Sequence, residues 1–77
     1  MSRTIRTKEY GRFIEKIVKA RQEAGLRQID VANKFKRPQS YVSRMESGEY
    51  RIDVMELRVL AKIYHKPLNY FLDNNGN

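Results

Sequence analysis

The side chains able to carry out recognition chemistry gather between Gln28 and Gly48, in QIDVANKFKRPQSYVSRMESG. With about 100° of turn per residue, a helix over 39–47 puts Gln39, Ser40, Ser43, Arg44 and Ser47 on one side and Val42 and Met45 on the other. The polar side holds no hydrophobe. A glutamine carries an acceptor and two donors, the pattern that adenine N6 and N7 complement in the DNA major groove, so Gln39 is the first candidate for base readout. Ser40 can serve a base edge or a phosphate, and Ser43 a base edge or its own i−4 carbonyl. Arg44 suits guanine O6/N7 or a phosphate equally. Tyr41 lies at the margin of the face, where it packs or touches phosphate. Arg27, Lys36 and Arg37 flank the motif and are placed for phosphate contacts, which orient a protein without reading sequence.

Other chemistries find no footing. The chain has no cysteine, so a thiolate metal site and a disulfide framework are both excluded, and His65 is its single histidine. There is no Gly-rich phosphate loop, and a serine triad would have to recruit His65 from far along the chain to Ser40 or Ser43. Neither an enzyme nor a cofactor or metal is expected.

The elements that must position the polar face follow from periodicity. QIDVANKF reads as a short helix with Val31, Ala32 and Phe35 on its inner side. Pro38 disfavours helix at Arg37 and suits the first turn of a new helix, while Gly48 is the natural stop of that second one. Upstream, Tyr10, Phe13, Ile14, Ile17, Ala20, Arg21 and Ala24 recur at three- and four-residue steps, predicting a helix over about 8–24 with Thr7 as N-cap and Gly25 just past its end. Downstream, Asp53-x-x-Glu56 resembles a capping box and opens a helix to about Tyr64, with Val54, Leu57, Leu60, Ala61 and Tyr64 inward and His65 as its C-terminal cap. A last short helix is expected over 67–72.

This arrangement resembles the Cro and phage-repressor (XRE-type) helix-turn-helix family. The match runs from Gly25 to Leu72 through GL, Gln28, Ala32, Gln39-Ser40, Val42, Ser43 and Glu46-x-Gly48. The resemblance implies an all-α, five-helix, lambda-repressor-like DNA-binding domain with its helix-turn-helix at 28–47. It implies that residues 39–47 enter the major groove, that Gln28 contacts a phosphate and braces Gln39, and that Arg21 pairs with Glu46. The alternative for Arg21 is a phosphate contact, and the resemblance also implies a phosphate contact for Arg51, in the loop just after residues 39–47. The family usually has Gly where this chain has Lys36, and a lysine at positive φ costs about 1 kcal/mol.

Charge agrees with such a partner. The 77 residues carry a net charge of +7, and the whole excess lies in residues 1–37, with 11 Lys/Arg against 4 Asp/Glu. Double-stranded DNA is the expected partner, bound the less tightly as salt rises. RNA is disfavoured, because the A-form major groove is too narrow for a recognition helix. No apolar run is long enough to cross a membrane and no secretion signal is seen, so a cytoplasmic setting is expected. Three segments are expected: a basic arm over 1–7, the DNA-binding domain over 8–72 and a polar tail over 73–77. The arm either follows phosphates or the minor groove, or frays.

One apolar stripe is unexplained by a monomeric core. Met55, Val59 and Ile63 recur every four residues opposite the inner face, with Ile52 ahead of them. Together with Phe71 they are assigned to a homodimer interface, in keeping with a repressor on a two-fold operator. The alternatives are that helix 1 or the tail covers the stripe, or that it binds a protein partner such as a toxin.

Overall fold

The computed structural model describes residues 7–72, so the expected arm, apart from Thr7, and the expected tail lie outside the described residues. Five helices follow in order: α1 (Lys8–Glu23), α2 (Gln28–Phe35), α3 (Gln39–Ser47), α4 (Val54–Tyr64) and α5 (Leu68–Leu72). Each inner stripe meets the others in one core, where Ile17, Ala20, Val31, Ala32, Val42, Met45, Leu57, Leu60, Ala61, Tyr64 and Phe71 are buried. Burying a side chain of Ile or Leu size stabilises by about 1.5–3 kcal/mol, which is what holds such short helices in place.

The helix ends are built alike. The Thr7 hydroxyl accepts the Tyr10 N–H at 3.1 Å, closing the start of α1. The box opening α4 is complete, with the Glu56 N–H donating to Asp53 at 2.8 Å and the Asp53 N–H donating to Glu56 at 2.9 Å. At the C-termini of α1, α2, α3 and α4, the residue beyond the last turn has positive φ, and the N–H after it returns to a carbonyl of the preceding turn. Glycine supplies this conformation at Gly25 and Gly48, but Lys36 and His65 adopt it with φ of 59° each.

A Cβ at that φ is crowded against the backbone, at roughly 1–2 kcal/mol, while glycine gives back part of the gain through the entropy of the unfolded chain. Lys36→Gly and His65→Gly are each expected to stabilise the fold by roughly 0.5–1 kcal/mol, read as a Tm a few degrees higher. No change, or a fall, at both sites would show that these side chains supply compensating contacts.

Two expectations about α4 are corrected. Val54, expected inward, is 62% exposed: it is the first residue of the helix, and its Cβ tilts toward the N-terminus and overhangs the edge of the core. Ile52, expected to extend the outward stripe, instead packs against the core, and its N–H donates to the Tyr10 hydroxyl at 3.0 Å. The set assigned to a dimer face divides as well. Met55 and Val59 are exposed, Ile63 packs partly against the core, and Phe71 is a core residue at 2% exposure. Helix α5 packs on α1, which turns Phe71 inward, so it is not available to a partner.

Candidate nucleic-acid interface

Helix α3 is anchored by Val42 and Met45, both fully buried, and its contacts with α2 are the most extensive between any two helices. That anchoring fixes the opposite face, where Gln39, Ser40, Ser43, Arg44 and Ser47 are all exposed, as expected. The turn is braced by aromatic packing. The Phe35 and Tyr41 ring centroids lie 5.3 Å apart, and the Arg37 guanidinium sits 5.0 Å from the Tyr41 ring centroid.

A chain of hydrogen bonds runs from α1 to the tip of α3. Arg21 donates to Glu46 through Nε at 2.7 Å and Nη2 at 3.1 Å, and through Nη1 to the Leu26 carbonyl at 3.0 Å. Gln28 Nε2 donates to Glu46 Oε1 at 2.9 Å, and Gln39 Nε2 donates to Gln28 Oε1 at 3.2 Å. The carboxylate gives this chain a direction. Ionised Glu46 can only accept, so Gln28 must turn its NH2 toward it and its oxygen outward. That oxygen in turn requires the NH2 of Gln39. Gln39 is left with Oε1 and its second N–H for another partner, one acceptor and one donor side by side.

The pair at the base of the chain is well shielded, with side-chain exposures of 13% for Arg21 and 6% for Glu46. Tyr64 is packed nearby, and burial followed by the Glu46 charge pushes its phenol pKa up, so the hydroxyl stays neutral beside the carboxylate.

The flanking cations are differently occupied. Arg27 chelates Asp30 through Nε at 3.0 Å and Nη2 at 2.9 Å, and its own N–H caps α2 through the same carboxylate at 2.8 Å. This hydrogen bonding holds the Asp30 carboxyl at about 2, below the usual carboxylate range. Arg44 is 3.6 Å from Glu49, a loose pair between exposed side chains that competes weakly with any phosphate or base. Lys36 is exposed at the turn. Arg51 is stacked over Tyr10, 5.2 Å from its centroid, at a groove between α1, α4 and α5 rather than against α3.

Tyr41 has a structural duty that its sequence position did not announce. Its hydroxyl donates to Glu56 Oε2 at 2.6 Å, tying α3 to the cap of α4, and burial with this bond pushes its pKa up. The local pattern around Glu56 marks it only as a capping residue. The pairing joins residues 15 apart on different helices, and no local pattern signals it. Tyr10 lies on the apolar stripe of α1, yet its hydroxyl also accepts the Ile52 N–H.

Two short helices packed through a tight turn, the second with a buried apolar side and an open polar side, define a helix-turn-helix DNA-binding domain. The chain belongs to the helix-turn-helix family HTH_3, the Cro/C1 or XRE type, whose model matches residues 17–71. It is accordingly a DNA-binding regulator of transcription. No curated protein and no solved structure gave a significant match. Among the described residues, no helix is long and apolar enough to cross a membrane, and no group of acidic or histidine side chains could hold a metal.

Proposed function

We propose that this chain is a repressor that reads a short, two-fold symmetric duplex operator as a pair of copies, with α3 of each in the major groove. The observation that carries the reading is the hydrogen-bonded chain from Arg21 through Glu46 and Gln28 to Gln39. It presents a preoriented acceptor and donor from the start of α3, the pair that adenine N6 and N7 accommodate. Ser40, Ser43 and Arg44 lie on the same open face and contact neighbouring base edges or phosphates. Gln28, Lys36 and Arg37 hold the backbone; Arg27 reaches it from its ion pair with Asp30, and Tyr41 acts by supporting Arg37. The two reading heads are set about 34 Å apart, one helical turn of DNA, and the pairing forms on the operator. Repression follows from occupying duplex that polymerase needs.

Selection of the intact protein on random duplexes, followed by sequencing of the retained DNA, tests the proposal. A two-fold motif containing adenine steps in each half-site is the expected result. Retention without any enriched motif would overturn it. On the selected site, Lys36→Ala or Arg37→Ala should weaken binding across sequences alike and reduce the slope of log K against log salt by about 1. An unchanged slope in both variants would remove these side chains from the backbone contact.

A further inference from the structure

The outward face of α4 is not closed by the fold. Met55 and Val59, one turn apart, are 61% and 42% exposed, and Leu68 at the start of α5 joins them at 38%. They line a shallow cleft of about 340 Å³ with Ala61 as its floor and Arg58 and Lys62 as its walls. Both cations are exposed, and neither has an ion pair among the described residues. The cleft has no carboxylate in its lining. The acidic groups nearest in sequence, Asp53 and Glu56, are bonded to one another's backbone at the helix start. The face therefore combines apolar anchoring points with charge of a single sign.

We infer that this face is a docking surface for an acidic amphipathic helix of a partner protein. Apolar side chains at i and i+4 of such a helix would cover Met55, Val59 and Leu68, and flanking Glu or Asp would reach Arg58 and Lys62. Charge decides against a second copy of this chain. In a two-fold contact the face meets itself, so a second copy would bring to this cleft a lining that again holds two cations and no carboxylate. The proposed surface is separate from α3, so the inference does not depend on how the operator is read.

The test titrates two helical peptides into the isotope-labelled intact chain and follows backbone amide shifts. One peptide carries leucines at i, i+4 and i+7 flanked by glutamates; the other replaces every glutamate by lysine. The acidic peptide is expected to shift the amides around Met55, Val59, Lys62 and Leu68, and the lysine peptide to leave them in place. An Arg58→Glu/Lys62→Glu variant should bind the acidic peptide at least tenfold more weakly and gain affinity for the lysine peptide, with its helical circular dichroism unchanged because both sites are exposed. Shifts confined to α2 and α3 would overturn the proposal, as would no shift on α4 at millimolar peptide. So would concentration-dependent α4 shifts of the chain alone, the signature of a second copy.

Discussion

Gln39→Ala is expected to lower affinity for the selected operator by roughly ten- to a hundredfold, which corresponds to the 1–3 kcal/mol of a bidentate base contact. Binding to an unrelated duplex of equal length should hardly change, because the basic side chains around the motif are untouched. The size of the effect comes from preorientation. Gln39 is held from below by Gln28, and Gln28 by Glu46, so the amide meets the groove already turned one way. A glutamine free to rotate would lose part of its contact energy in becoming ordered. Fluorescence anisotropy on the two duplexes separates the cases: equal losses on both would mean that Gln39 contacts the backbone and reads nothing.

Glu46→Ala is expected to be the most damaging single change considered, destabilising the fold by about 3 kcal/mol. It leaves the Arg21 guanidinium 13% exposed, with the Leu26 carbonyl as its remaining partner, and takes away the acceptor that orients Gln28. A stranded buried charge costs more than an absent pair. Arg21→Met combined with Glu46→Leu should therefore cost less than the sum of the two single changes, and a double-mutant cycle in urea reads the difference. A cost below about 1 kcal/mol for Glu46→Ala would show that water reaches Arg21 and that the pair is not structural. Glu46→Gln is informative for function. The neutral amide can accept or donate, so the direction of the chain is no longer imposed, and base preference at the Gln39 position should broaden even where the fold survives.

Much of this molecule was legible in its residues. The three- and four-residue recurrence of apolar positions located the first four helices, the fifth came from family resemblance, and Thr7, Asp53 and Gly48 marked helix ends, because periodicity and capping are local properties. Lys36, standing where the family usually has Gly, and His65, expected as a helix cap, both have positive φ. The open face of α3 followed directly from helical geometry. The link between Arg21 and Glu46 and the bracing of Gln39 by Gln28 came from family resemblance, and the structure brings both pairs together.

The amino-acid sequence by itself thus determined which segments are helical, where each stops and which side of α3 is polar, since neighbours within one turn set those features. Tertiary structure decided the rest: that Glu46 sets the direction of the Gln28–Gln39 chain, that Tyr41 belongs to Glu56, that Phe71 is core and Val54 is not, and that Arg58 and Lys62 wall an uncovered apolar cleft. Each depends on which helix packs against which, and at what edge of the core a side chain falls. Helical periodicity specifies the direction in which a residue points, whereas the identity of what it meets is settled only when the separate stripes share a common interior.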